Sequence, residues 1–147
     1  MTLTESPSLL VAGIGEMVLS SSPDAHLVAY GLGSCIALAV WDPRVKVGGL
    51  AHFMLPSGSA NNSSPVKFID TGLDTFLRAL EAKGAMLTVG GGLAIGKRNA
   101  ESMQAALADR GLALTATALG GNAGRTVQLE VADGRFLIKS LSSVSEL

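Results

Sequence analysis

Short apolar stretches separated by turn residues predict a chain built mainly of strands. A strand with one buried face alternates apolar and polar residues, whereas a fully buried strand is a short apolar run. These patterns predict strands at 9–19, 27–30, 36–41, 47–55, 85–89, 112–119, 126–132 and 135–141. The last two flank Asp133-Gly134, a strong hairpin signal.

Two stretches have helical periodicity instead. Between 68 and 83 the apolar residues fall on one stripe, and Gly84 follows as a favoured helix-terminating residue. A second helix is predicted from Asn99, as its N-cap, to Gly111. Strands outnumber helices and adjoin one another in sequence, which predicts an α+β domain with mostly antiparallel or mixed sheets and two helices packed on a sheet.

Length, charge and cysteine content narrow the functional classes. A chain of 147 residues fits a single domain, 1–147, and we expect the ends, 1–8 and 142–147, to be mobile. A net charge of −1 offers no field for nucleic acid, and no apolar run approaches the roughly 20 residues that cross a bilayer. One cysteine and no secretory signal at the amino terminus predict a cytoplasmic protein without membrane insertion.

The single cysteine and one of the two histidines lie in a predicted hairpin. Cys35 ends a glycine turn, and His52 lies in the returning strand. If Pro43 and Arg44 are the central turn residues, Cys35 and His52 are directly opposite each other. A turn two residues longer puts Cys35 opposite Met54, with His52 on the diagonal of the same face, whereas a one-residue slip separates them. Two of the three registers therefore bring thiol and imidazole together.

A thiol next to an imidazole can carry out acyl transfer at an ester, amide or thioester. The thiolate is the nucleophile, and His52 would take the thiol proton and pass it to the leaving group. With little side chain at Gly33, the N–H groups of Ser34 and Cys35 could hold an oxyanion. The alternative is structural, with Cys35 as a small buried hydrophobe and His52 as a hydrogen-bonded core residue. The other histidine, His26, is predicted at a surface turn.

Five pieces of the chain, in order, resemble the chemoreceptor glutamine deamidases of bacterial chemotaxis (CheD). They are Gly31-Leu32-Gly33-Ser34-Cys35, Ala51-His52-Phe53-Met54-Leu55-Pro56, Lys67-Phe68-Ile69-Asp70-Thr71, Ile95-Gly96-Lys97-Arg98-Asn99 and Gly120-Gly121-Asn122-Ala123-Gly124-Arg125. The resemblance implies a layered α/β/β sandwich with Cys35 as nucleophile and His52 as base, and no cofactor. It also implies a role for chemoreceptor helices as substrate and for a CheC-like phosphatase as partner.

The chain departs from the family's pattern at two places. The family usually has a threonine six residues before the cysteine, and here that position is Ala29, so the catalytic group is expected to lack an orienting hydroxyl. A longer family loop is replaced by Gly90-Gly91-Gly92-Leu93-Ala94. These departures favour an alternative function, a catalytically weakened binding module that regulates chemotaxis through receptor or phosphatase contacts.

Other motifs are weaker. Residues 91–97 match the start of a phosphate-binding loop, but Arg98 stands where Ser or Thr would hold magnesium, which favours a plain glycine connection. By the resemblance, Arg98 and Asn99 support the site through backbone hydrogen bonds. Arg125 either engages a carboxylate on a substrate or partner or is simply solvated at a turn. One cysteine and two histidines fall short of a structural zinc site, so no metal is expected.

Overall fold

The computed structural model of the protein describes residues 8–32, 36–54, 68–85, 91–94, 97–112, 125–139 and 144–146. Within these ranges the elements are β1 (Ser8–Val11), β2 (Met17–Ser20), β3 (Ala25–Leu32), β4 (Ile36–Asp42), β5 (Val47–Phe53), α1 (Ile69–Ala82), β6 (Gly91–Ala94), α2 (Lys97–Ala108), β7 (Arg125–Glu130), β8 (Phe136–Lys139) and β9 (Val144–Glu146). No helix among them is long and apolar enough to span a membrane.

The strands form two sheets. The first sheet has the order β1-β3-β7-β8-β9, and the second sheet has the order β2-β5-β4-β6. All neighbours are antiparallel except β1 and β3, which run parallel. The β4–β5 pairing runs from Asp42 opposite Val47 to Ile36 opposite Phe53, which is the longer-turn register of the two that were predicted to join thiol and imidazole.

Two hydrophobic cores lie on opposite faces of the second sheet. One core joins this sheet to both helices, through residues such as Phe53, Phe76 and Met103. The other core joins it to the first sheet, through residues such as Leu50 and Leu129. Because β4 and β5 contribute alternate residues to both cores, the second sheet is the middle layer. The predicted α+β sandwich, with two helices on one face, is confirmed.

Helix α1 lies close to the middle layer because β5 has a glycine where they meet. A Cβ at Gly49 would lie 2.7 Å from Leu80 Cδ2 and 3.0 Å from Phe76 Cε1, so any larger residue would push the helix away. Arg110, which follows α2, binds the carboxylate of Asp74 on α1 through two nitrogens, at 2.7 and 3.0 Å. This bidentate pair ties the two helices together at the surface.

Several predicted boundaries were wrong. The strand predicted at 9–19, with interruptions at Gly13 and Gly15, is in fact two strands, β1 and β2, in different sheets. Gly15 has a φ of +80° and Glu16 N donates to Gly13 O, which closes a tight turn between them. Asn99 is inside α2 rather than its N-cap, since the helix begins at Lys97. Residues 91–94, predicted as a glycine connection, form β6, because pairing with β4 overrides the poor strand propensity of glycine.

Residues 8 and 144–146, which the structure describes near the two ends of the sequence, lie in strands. Ser8 begins β1, and its N–H donates to Asp24 O. Residues 144–146 form an edge strand on β8. The predicted hairpin around Asp133-Gly134 is confirmed, with φ +78° at Gly134. Of the strands predicted at 85–89 and 112–119, all residues but the first, Ala85 and Leu112, lie outside the described residues.

Candidate active site

His52 lies near the end of β5 and is almost completely buried, with 2% of its surface exposed. It is directly opposite Ala37 in β4. Leu50, two residues earlier on the same strand, belongs to the core between the two sheets. Side chains two apart on a strand share a face, so the imidazole is also directed to the side of the first sheet.

The imidazole makes one hydrogen bond, and its geometry identifies the tautomer. Nδ1 lies 3.1 Å from the carbonyl oxygen of Ala12. A carbonyl can only accept, so Nδ1 carries the proton, and in the neutral ring the lone pair is on Nε2. Nε2 is buried and has no hydrogen-bond partner within the part of the chain that the structure describes. Buried polar groups are normally paired and are costly for stability when they are not, so this nitrogen is a candidate for a role in the site.

The environment also keeps this ring neutral. Burial lowers the pKa of His52 below its ordinary value of 6.5, and this outweighs the Ala12 hydrogen bond and the charge of Glu16, which both raise it. At neutral pH the ring therefore presents a free lone pair at Nε2. This is the protonation state that a general base requires.

The turn between β1 and β2 holds the backbone of His52. Gly15 N donates to His52 O at 2.8 Å, and His52 N donates to Glu16 O at 2.9 Å. Ala12, just before the turn, donates its own N–H to Val28 O in the first sheet. The turn therefore connects the two sheets at the histidine. Neither Ala12 nor Glu16 was identified from the sequence, because a backbone carbonyl leaves no residue signature. The glycines at 13 and 15 are the signal that could have indicated a turn here.

Gly33, Ser34 and Cys35 lie outside the described residues, but the residues on both sides of them are described. Leu32, which precedes them, is paired with Arg125 at the start of β7. Ile36, which follows them, is paired with Phe53 on one side and with Ala94 on the other. Backbone pairing therefore places Arg125, Phe53 and Ala94 beside the two residues that flank 33–35.

The other residues predicted for the site, Arg98, Asn99 and Arg125, lie close in sequence to these paired strand ends. Phe53 is the residue after His52, and Ala94 ends the strand that leads into α2. Arg98 and Asn99 are in the first turn of α2, and Arg125 is the first residue of β7. For these three residues the structure describes the backbone and not the side chain. Their functional roles remain predictions.

Ala29 is fully buried in β3, opposite Val127. It belongs to the core between the sheets, together with Ala37, the residue opposite His52. The partner of His52 Nδ1 is the Ala12 carbonyl, and whether a hydroxyl at position 29 would orient the ring stays a prediction. Among the described residues no three His, Cys, Asp or Glu side chains are arranged to hold a metal ion.

Comparison with known proteins gives the family. The sequence profile described as "CheD chemotactic sensory transduction" matches residues 54–140. A protein of Symbiobacterium thermophilum named "Probable chemoreceptor glutamine deamidase CheD" is 38% identical over 153 aligned positions, covering 90% of this chain and 93% of that protein. The chain belongs to the CheD family.

Other CheD proteins are similarly close. The "Chemoreceptor glutamine deamidase CheD" of Thermotoga maritima is 35% identical, over 93% of this chain and 95% of its own length. The "Probable chemoreceptor glutamine deamidase CheD 2" of Anaeromyxobacter dehalogenans is 36% identical, over 95% and 99%. These matches extend over almost the whole chain, well beyond the part that the profile covers. The resemblance stated from five short motifs is thereby confirmed.

Proposed function

We propose that this CheD protein is a cysteine amidohydrolase that converts glutamine side chains of methyl-accepting chemoreceptors to glutamate. The observation that carries the proposal is the buried imidazole of His52, whose Nδ1–H donates to Ala12 O and whose Nε2 has no partner within the described ranges. The next residue of its strand, Phe53, pairs with Ile36, the chain neighbour of Cys35. The names of the related CheD proteins supply the substrate and the reaction.

In the proposed mechanism His52 Nε2 takes the proton of the Cys35 thiol. The thiolate attacks the amide carbon of the glutamine side chain, and the negative charge moves to the amide oxygen, near the N–H groups that follow Gly33. The imidazolium returns its proton to the leaving nitrogen. Ammonia departs, and a thioester between Cys35 and the carbonyl carbon of the substrate remains. His52 then takes a proton from water, the hydroxide attacks the thioester, and glutamate and the thiol are released. The sum is one amide and one water giving one carboxylate and one ammonium.

The supporting polar residues and the protein partners belong to the same proposal. Arg98 and Asn99 support the site through backbone hydrogen bonds, and Arg125 engages a carboxylate beside the reacting amide. The cytoplasmic helices of the receptor are the substrate surface, and a CheC-like phosphatase is a regulatory partner. The reaction would take place in the cytoplasm, where a lone thiol stays reduced.

The test is ammonia release from purified cytoplasmic fragments of chemoreceptors, with the modified glutamines located by mass spectrometry. We expect release by the wild type and none by Cys35→Ala. Iodoacetamide should label Cys35 at neutral pH faster than it labels a model thiol, because a thiolate reacts and a thiol does not. Labelling slower than the model thiol, with undiminished turnover by Cys35→Ala, would return Cys35 to a structural role.

A second function is favoured by one observation, the buried methyl of Ala29 where the family usually has a hydroxyl. On this alternative the fold contacts receptors or a CheC-like phosphatase and catalyses weakly. Receptor fragments that bind tightly to the wild type and release no ammonia would support it. Turnover of free amides but of no receptor would instead indicate a hydrolase for small amides or thioesters.

A further inference from the structure

The peptide group between Ala12 and Gly13 makes a hydrogen bond at each of its two ends. Its carbonyl oxygen, on Ala12, accepts from His52 Nδ1 at 3.1 Å. Its N–H, on Gly13, donates to Glu16 Oε1 at 2.8 Å. A carboxylate and an imidazole are therefore joined through a single peptide unit.

The local sequence is suited to this arrangement. A Cβ at Gly13 would lie 2.7 Å from Glu16 Oε1, so a glycine is needed for the carboxylate to reach the N–H. Gly15 has a φ of +80°, a conformation that side chains disfavour, and it brings Glu16 back over the turn. Glu16 N donates to Gly13 O, and Glu16 O accepts from His52 N. Glu16 thus contacts the histidine backbone and the peptide that holds its ring.

An anionic acceptor at the N–H end of a peptide strengthens the carbonyl at the other end as an acceptor, because linked hydrogen bonds polarise one another. We propose that Glu16 is a positioning residue that acts on His52 through the Ala12–Gly13 peptide. Its carboxylate fixes the peptide plane so that the carbonyl faces Nδ1, and its charge favours the imidazolium that forms when Nε2 takes a proton. The kinetic part of this inference rests on the proposed function, whereas the effect on the imidazole does not.

The surroundings of His52 offer no competing charge among the described side chains. Burial lowers the pKa of His52, and Glu16 is the charged group that acts against it. The opposite strand presents Ala37, and the neighbouring β2 begins with Met17. The further titratable group to be considered is the proposed nucleophile, Cys35. The imidazole is therefore best studied in a Cys35→Ala background.

The decisive measurement is a ¹⁵N NMR titration of the His52 ring in Cys35→Ala protein, with its signals assigned by His26→Gln. With Glu16 present we expect the Nδ1–H tautomer. Glu16→Ala should lower the titration midpoint and admit the Nε2–H tautomer, because both charge and acceptor are lost. Glu16→Gln should lower the midpoint but keep the Nδ1–H tautomer, because its amide oxygen still accepts from Gly13. A tautomer and midpoint unchanged in both variants would overturn the proposal.

Kinetics form the second arm, in otherwise wild-type protein. Glu16→Ala should lower kcat by roughly tenfold with KM nearly unchanged, the low end of the 10–100-fold that partners of metal-bound histidines contribute. Glu16→Gln should recover part of that loss, and Glu81→Ala, on an exposed face of α1, should not change kcat. If Glu16→Ala fails to fold by circular dichroism, the titration midpoint of Glu16→Gln decides. If the wild type releases no ammonia and the NMR changes are as expected, the proposed function is refuted. The effect of Glu16 on the orientation of the imidazole is then still supported.

Discussion

The two histidines of this chain lie in different sheets and use their nitrogens in opposite ways. His26, on β3, is partly buried on the first sheet, and its Nδ1 lies 3.1 Å from Gln128 Nε2. Lys139 Nζ donates to Gln128 Oε1, which fixes the orientation of the amide, so Gln128 donates to His26 and the ring accepts. At His52 the Nδ1 donates, and the buried lone pair of Nε2 has no partner among the residues that the structure describes.

This difference is the structural basis for proposing a catalytic role for His52 and a structural role for His26. Around His26 the amide, the ammonium and the neighbouring Glu130 carboxylate form a connected polar network. Around His52 the fold provides a partner for one nitrogen and none, within the described residues, for the other. A buried acceptor without a partner lowers stability by about 1–3 kcal/mol, so Nε2, which has no partner among the described residues, is the atom of this ring on which the proposed catalytic role depends.

The largest effect expected from this contrast is on turnover. His52→Ala should lower the rate of receptor deamidation by roughly 10²–10⁴-fold, the usual contribution of a positioned acid–base group. His26→Ala should leave the rate nearly unchanged, since its network lies on the other sheet. Ammonia release from receptor fragments measures both. Equal losses in the two variants would mean that the distinction between the two histidines is not functional.

The register of the hairpin and the roles assigned to its residues show what a sequence can and cannot reveal. The two apolar runs that form β4 and β5 predicted a hairpin. Two of the three registers considered placed His52 on the same face of the sheet as Cys35. The turn of Pro43–Lys46 decided between them, and its length follows from turn geometry rather than from apolar pattern. The α1 stripe was equally clear, and the helix begins and ends within one residue of the prediction.

The orienting partner of His52 was not predictable in the same way. It is a main-chain carbonyl, and every residue has one, so only the fold determines which carbonyl reaches the ring. The strand β6 was missed for a related reason, because glycines at 91 and 92 carry no strand propensity and their order comes from pairing with β4. Both features depend on tertiary contacts between segments far apart in sequence.

The second expected effect is on stability as a function of pH. The folded-state pKa of His52 is lowered, so its contribution to stability is fully present above about 6.5, the ordinary value for histidine, and is lost as the pH falls through the folded pKa. Urea unfolding gives the free energy of unfolding of the wild type and of His52→Gln. The amount by which the wild-type value exceeds that of the variant should therefore decrease as the pH falls below about 6.5. Asp74, whose pKa is lowered by Arg110, loses its contribution only in a more acid range.

His26→Gln serves as the matched variant for this measurement. It retains His52, so the acid-dependent loss of stability that comes from burial of this imidazole should persist in it. If His52→Gln shows the full acid dependence as well, burial of the imidazole is not its cause.

The smallest effect is expected at Ala29. The sequence predicts that restoring a hydroxyl there speeds the reaction, and the structure limits the gain, because Ala12 already occupies Nδ1. Ala29→Thr should raise the deamidation rate by less than about tenfold, the low end for groups that orient a histidine. Ala29→Val has the same shape without the hydroxyl, and should give no gain and some loss of stability from overpacking a fully buried site. Equal rates in the two variants would show that the hydroxyl contributes nothing here.

All seven residues of β5 are buried, and the strand lies between β2 and β4 with a core on each face. Amide hydrogens in such a strand exchange with solvent mainly when the whole domain opens, whereas loops and edge strands exchange through local fluctuations. His52 therefore lies on a strand, β5, that we expect to open only when the whole domain unfolds. Heating should therefore leave the imidazole of His52 in place until the protein unfolds cooperatively.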